Sequence, residues 1–305
     1  MTAIIPAPAG PAAAHHRAGL IRARGAATLA RRRRVGAAAA VLCGSAVVVA
    51  LVPLGSLIAY TVAKGLHALS VGFLAHTPRP SGVPGGGIAN ALVGTAVIDG
   101  LALVMAVPMG LLVAIHLIEG GGRIRAGVRF GADVLAGLPS IVIGLFAYIV
   151  VVAPLRHFSA LSASFALAVL MLPVMIRADE EALRSVPDPL WEAGLALGAA
   201  QPRVVRSVVV RTALPGLVTA NLLALARAVG ETAPLLFTAI GSQLFTLSPT
   251  QPMASMPLVI FQDGTQPFAD TQTTAWGTAF VLLVAVLVLS IAGRAVAGRL
   301  TQRAR

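Results

Sequence analysis

The stretch "ARAVGETAPLLFTA", Ala226–Ala239, sets an arginine and a glutamate four residues apart in an otherwise apolar run. If that run crosses a membrane, each charge costs about 2.5–3.5 kcal/mol at mid-bilayer on insertion scales. Whether it crosses decides the fold, and the composition answers. Of 305 residues, 57% are hydrophobic and only 11% charged, with a mean hydropathy of +0.88. A soluble domain carries about 25% charged residues. Basic residues outnumber acidic ones 23 to 11, and Lys64 is the only lysine. Such an excess can mark nucleic-acid binding, but this apolar content points to a membrane protein with basic ends and no nucleic-acid partner. One cysteine, Cys43, excludes an intramolecular disulfide framework and a Cys-based zinc site.

Runs of about 20 apolar residues read as spanning helices. Six stand out, over 35–63, 88–118, 131–153, 160–176, 213–240 and 274–293. The expected fold class is therefore an all-α membrane protein with six transmembrane helices in a 35–293 membrane domain. The second and fifth runs exceed one bilayer thickness, so they must tilt, extend beyond the hydrocarbon, or kink near Pro108 and Pro234.

Arginine placement sets the orientation. With a cytoplasmic N-terminus, the inner segments hold seven arginines before the first run, three between runs two and three, five between four and five, and four in the tail. The outer loops hold only Lys64, Arg79 and Arg156, and the 241–273 loop has neither Lys nor Arg. Both termini are expected in the cytoplasm, with the chain multi-pass in a bacterial plasma (inner) membrane. Residues 1–34 lack apolar periodicity and read as a disordered basic arm; residues 294–305 read as a basic tail. The "RRRR" cluster, 31–34, fixes topology and suits anionic lipid heads. A cleavable signal peptide is not expected, because the apolar stretch from Val35 is too long for one.

The one long inner loop, 177–212, contains "DPLWEAGLALG", 188–198. Asp188 as an N-cap and Pro189 at the first helical position predict a short helix, ended by Gly198 and Pro202. Its Trp191 and leucines need a surface to cover them, either this chain's own or a partner's. A second, basic helix follows with Arg203, Arg206 and Arg211. The spacing resembles the EAA loop of ABC-importer permeases: Glu192, Ala193 and Gly194, then Gly198, then Val208 at the aliphatic position. Gly194 replaces the second alanine of that pattern and Arg211 its proline. The resemblance implies that Glu192, Ala193, Gly194 and Gly198 form a coupling helix against a separate ATPase.

Arg227 and Glu231 admit two readings. At i and i+4 they can pair within a helix as a neutral staple. Alternatively they form a polar element on a transport path, since Gly230 and Pro234 weaken the helix there. The string "GETAPLLFTA", with "GLPSIVIGLFAY" at 137–148 and "NALVGTAVIDGLALVMAVPMGLLVAIHLIEGG" from Asn90, resembles the PstA family of phosphate ABC-importer permeases over about residues 88–293. That resemblance implies the type I importer permease fold and inorganic phosphate as the substrate. It also implies a second, PstC-like permease, a PstB-like ATPase dimer carrying ATP and magnesium, and a PstS-like external binding protein facing the 241–273 loop. Arg227 and Glu231 would then line the path, Gly230 and Pro234 the hinge beside it. Glu231 would hold Arg227 until the anion arrives.

No cofactor is expected on this chain, and with no phosphate-cradling Gly-x-x-x-x-Gly-Lys loop it has no ATP site of its own. It is not read as an enzyme, since no nucleophile–base pair or metal spacing appears. The alternatives are a permease for sulfate or molybdate and, against the coupling-type loop, a stand-alone secondary transporter. Asp99, within the second run, reads as a hydrogen-bonded structural residue.

Overall fold

The computed structural model describes residues 11–303 apart from 81, 82, 84, 120 and 121, with side chains from 32 to 299 apart from 34. The chain divides into two units, residues 1–60 and 61–305. The first consists of most of helix α1 (Pro11–Ala68). Its residues from Val35 to Tyr60 are exposed on every face, as suits a span whose neighbours are lipid. The arm read as disordered is thus helical from Pro11 onward, while residues 1–10 lie outside the described residues. Alanine, arginine and leucine dominate it, and these lose little side-chain freedom in a helix, so propensity wins where apolar periodicity is missing.

In the second unit, α2 (Val71–Ala75) precedes α3 (Ala89–Glu119), which runs uninterrupted through Pro108. Then come α4 (Gly122–Gly137) and α5 (Ser140–Ala147), the latter continued by a π-helical turn into α6 (Ala153–Leu155). Helix α7 spans Ala160–Arg184, α8 Asp188–Ala196 and α9 Gln201–Val204, and a second π turn leads into α10 (Val210–Ala228). Helices α11 (Ala233–Thr238), α12 (Met256–Gly264) and α13 (Ala269–Arg303) complete it. Among the described residues five helices are long and apolar enough to cross a membrane, and a sixth span results if the α4–α5 pair is one.

That pair corrects the continuous third span expected over 131–153, because it bends by 105°. Leu138-Pro139 lies at the bend, where proline lacks the N–H that a continuing helix would use. Three boundaries also move. Helix α7 takes in Arg177–Arg184, expected as loop, and the fifth span starts at Gln201 rather than 213. The 294–305 tail is helical as far as Arg303.

The core lies where α3, α7 and α10 meet. It is built from small residues, among them Ala102, Ala106, Ala163, Ala224 and Ala228, with Leu167 and Met171 between them. In a bilayer the tails are as apolar as leucine, so this choice makes sense: small side chains let helices approach and gain dispersion contacts. The segment after α11 folds back into the same core, with Met253 2% and Leu258 0% exposed. Thr95 Oγ1 accepts the Met256 N–H at 2.8 Å, and the Asn90 side chain donates to the Ser242 carbonyl at 2.7 Å. Within the 241–273 loop, which the resemblance sets facing an external binding protein, residues 253–258 are therefore buried in this chain. Leu244, Phe245, Leu247, Phe261 and Phe268 are the exposed apolar residues of that segment.

Candidate transport path and coupling surface

Helix α10 stops at Ala228, one residue after Arg227. The chain then turns tightly: the Gly230 N–H donates to the Arg227 carbonyl at 3.3 Å, and the Glu231 N–H to the Ala228 carbonyl at 2.9 Å. Pro234 explains the stop, since it cannot donate to the Gly230 carbonyl and instead occupies the first turn of α11. At Gly230 and Pro234, where a hinge was expected, the helix is interrupted between Ala228 and Ala233.

The break undoes the staple. Arg227 is exposed and Glu231 half-buried, and among the described residues no ion pair joins them. Both instead line one cavity of about 210 Å³, together with Leu138 and Ser140 at the α4–α5 bend and Pro173 of α7. The break after α10 and the α4–α5 bend thus meet at one cavity, in which Arg227 and Glu231 are the charged residues of a mostly apolar lining. The spacing brought Arg227 and Glu231 to the same site, but not into contact.

Sequence reasoning missed what holds α11 in place. A Cβ on Gly144 of α5 would stand 2.7 Å from the Cα of Pro234, so only glycine permits that approach. At the other end, Ser162 Oγ donates to the Thr238 carbonyl at 2.9 Å, and the Ser159 N–H does so at 3.3 Å. Ser159 and Ser162 also cap α7 reciprocally, each hydroxyl accepting the other's N–H at 3.1 Å. The Ser-x-x-Ser spacing was the available signal.

Seven further residues, whose pairings tie α4 and α10 to α7, escaped notice. Asn221 of α10 donates to Asp179 Oδ1 of α7 at 2.9 Å. Glu180, 8% exposed, accepts from Arg184 at 2.9 Å and also from Arg129 of α4. Arg177 pairs with Asp133. These pairs let α7 continue as a helix through a charged segment. Asp99 is buried, but its Oδ2 has no hydrogen-bond partner among the described residues; the expected hydrogen-bonded role is not found.

The short helix after α7 forms where expected, with one correction. Pro187 flanks it, and Asp188 sits inside the first turn without a side-chain cap bond. Gly198 is left-handed at φ +77°, the conformation glycine adopts at helix ends. A Cβ at Gly194 would stand 2.9 Å from Val204 Cγ1, which accounts for glycine where the EAA pattern has alanine. Of the two expectations for the apolar face, cover by this chain's own surface holds for Trp191. Trp191 packs inward against Leu183, Val209 and their neighbours. Leu190, Leu195 and Leu197 remain 41%, 46% and 89% exposed, and Glu192 and Ala193 are exposed with them.

Comparison with known proteins agrees with this geometry. The family model described as "Binding-protein-dependent transport system inner membrane component" matches residues 106–305. The phosphate transport system permease protein PstA of Yersinia pestis is 39% identical over 238 residues, 77% of this chain and 81% of that one. PstA 1 of Mycobacterium tuberculosis strain H37Rv is 40% identical over 282 residues, 90% and 91% of the two chains. In fold, the chain is similar to an inward-facing structure of the MetNI methionine ABC transporter, with a TM-score of 0.60 at 22% identity, covering 70% of this chain and 96% of that one. The broken charged helix, the bent pair and the short apolar-faced helix thus belong to a member of the PstA family of binding-protein-dependent transport permeases.

Proposed function

We propose that this chain is the permease subunit through which an ATP-driven importer moves inorganic phosphate into the cytoplasm. The observation that carries this is the unpaired Arg227 facing a cavity beside a clamped helix break. Phosphate near neutral pH bears between one and two negative charges, its second pKa lying near that of phosphate esters at about 6. Taking such an ion from water uncompensated costs tens of kcal/mol, so the path must supply charge and donors. Arginine's planar fork suits phosphate oxygens in two-point contacts. Glu231 lines the same cavity without neutralising Arg227; its carboxylate repels the anion and keeps the site from becoming a trap.

A second, PstC-like permease completes the path opposite the exposed Arg227. The termini lie in the cytoplasm. There a PstB-like ATPase dimer, carrying ATP and magnesium, receives Leu190, Leu195 and Leu197 beside Glu192 and Ala193. The helix transmits ATPase closure to α7 through Trp191. A PstS-like binding protein delivers phosphate at the opposite face, against the segment bearing Leu244–Leu247.

Labelled-phosphate uptake at micromolar phosphate, in cells lacking their own copy of this chain, tests the reading. Wild type restores uptake and Arg227→Ala loses it at equal membrane level. Intact uptake by Arg227→Ala in an assembled complex would overturn the assignment of the path. Gly198→Val tests coupling separately. It forces a β-branched residue into the left-handed region, at about 1–2 kcal/mol, and is expected to release the ATPase on purification while the chain stays in the membrane.

A further inference from the structure

A second cationic cavity, of about 330 Å³, lies away from the Arg227 site, where α3, α4, α7 and the start of α8 meet. Two guanidinium groups reach it from different helices, Arg125 from α4 and Arg184 from α7. Arg125 is half-buried and makes no ion pair or hydrogen bond among the described residues. One turn further along α4, Arg129 takes Glu180, and Arg184 shares the same carboxylate oxygen. One acid therefore serves two arginines. Arg184 spends its Nε and Nη2 on that contact, so most of its five N–H donors stay available. Among the described residues, Asp188 is the only acid lining the cavity, and it forms no ion pair with either arginine.

The remaining wall is apolar: Ile118, Leu183 and Val186, with the half-buried Trp191 at one side. Two guanidinium groups over an apolar floor with an indole beside them make an amphipathic receptor. It matches a phosphoryl oxyanion attached to, or lying beside, greasy surface. Basic pockets between membrane helices on the cytoplasmic side bind lipid head groups on the same principle. Trp191 stands at the base of the helix carrying Glu192 and Gly198, so whatever fills the cavity also braces that helix.

We propose that Arg125 and Arg184 form a binding site for a phosphoryl anion beside α8, separate from the transport path. Two sources offer this chemistry: the phosphodiester of an anionic phospholipid, and free inorganic phosphate in the cytoplasm. The site needs nothing from Arg227, so it stands or falls independently of the substrate reading.

The test uses the full chain in lipid vesicles. The chain has two tryptophans, so a Trp276→Phe background leaves Trp191 as the only indole reporter. In the first arm its emission and iodide quenching are followed as phosphatidylglycerol replaces phosphatidylcholine. In the second, inorganic phosphate is titrated against pure phosphatidylcholine vesicles at constant ionic strength. A saturating response in either arm identifies the source. Arg125→Gln should weaken that response about tenfold or more, the scale of losing a charged hydrogen-bonding partner. Arg123→Gln, an exposed arginine on the same helix that does not line the cavity, should leave it unchanged. Arg125→Lys, which keeps charge but not the fork, should fall between. A flat response in both arms would overturn the proposal. So would equal losses from Arg123→Gln and Arg125→Gln, which would reduce the effect to diffuse surface charge.

Discussion

The pairs Glu180/Arg184 and Arg227/Glu231 share the i, i+4 spacing and have opposite fates. Glu180 and Arg184 lie in unbroken α7 and meet at 2.9 Å. Arg227 and Glu231 straddle the end of α10 and do not pair. Spacing brings side chains together only while the helix between them persists, because the i, i+4 rule is a statement about helical turns. Order along the chain reinforces the difference. Glutamate before arginine is the favoured arrangement, in line with the helix dipole, and arginine before glutamate is the weaker one. The first pair is structure; the second is kept apart by Gly230 and Pro234, so both charges are offered to the cavity.

The largest expected effect comes from abolishing the difference. Gly230→Ala with Pro234→Ala removes helix penalties of about 1 and about 3 kcal/mol. That exceeds what the two serine contacts to the Thr238 carbonyl contribute, about 1 kcal/mol each. A straightened helix lets Glu231 capture Arg227. Phosphate uptake should then fall about tenfold or more, at the rate of a factor of ten per 1.4 kcal/mol. Adding Glu231→Gln to that double variant should recover part of the uptake. Recovery would show that capture of the arginine, and not distortion, caused the loss; no loss in the double variant would deprive the break of its role.

A smaller effect separates the glutamates by stability alone. Glu180 is nearly buried and accepts from two arginines, so Glu180→Gln should cost about 1–3 kcal/mol, the penalty for unpairing a buried polar network. Arg184 is 46% exposed, and Arg184→Ala should cost less than about 1 kcal/mol. Glu231→Gln, with no ion pair to lose, should leave thermal unfolding in detergent nearly unchanged while altering transport. Equal shifts for Glu180→Gln and Glu231→Gln would erase the contrast.

How much of this was legible in the sequence follows the same line. Apolar length revealed the spans, because it depends on composition over about 20 residues and hardly on neighbours. Gly230 and Pro234 announced the break through backbone chemistry that is local to them. The fate of the Arg227–Glu231 pair was not legible, since whether a helix survives one glycine and one proline depends on what seizes the next turn. Here Gly144, 90 residues earlier in the chain, and Ser162 do so. The C-terminal end of α7 was misread as loop for a related reason. Its charges look soluble in isolation, and beyond the Glu180–Arg184 pair their partners among the described residues are Arg129, Asp133 and Asn221, from helices α4 and α10. Local rules located the irregularities, and long-range contacts decided what they became.

The smallest effect concerns Asp263, a carboxylate with no ion pair among the described residues. Asp263 of α12 is half-buried, and burial first, then the charge of Asp270, raises its pKa above the usual carboxylate value. The folded chain therefore holds this proton more tightly than the unfolded chain does. Between the ordinary carboxylate pKa and the raised one, the unfolded state binds fewer protons, so stability declines as pH rises through that window. Glu180 shows the opposite situation, a carboxylate with two guanidinium groups against it. Asp263→Asn should accordingly raise the unfolding temperature slightly at neutral pH and leave it unchanged in acid, where the wild-type side chain is already neutral. A variant less stable than wild type at neutral pH would mean that the Asp263 charge is wanted where it is, toward Arg79, which lines the same cavity.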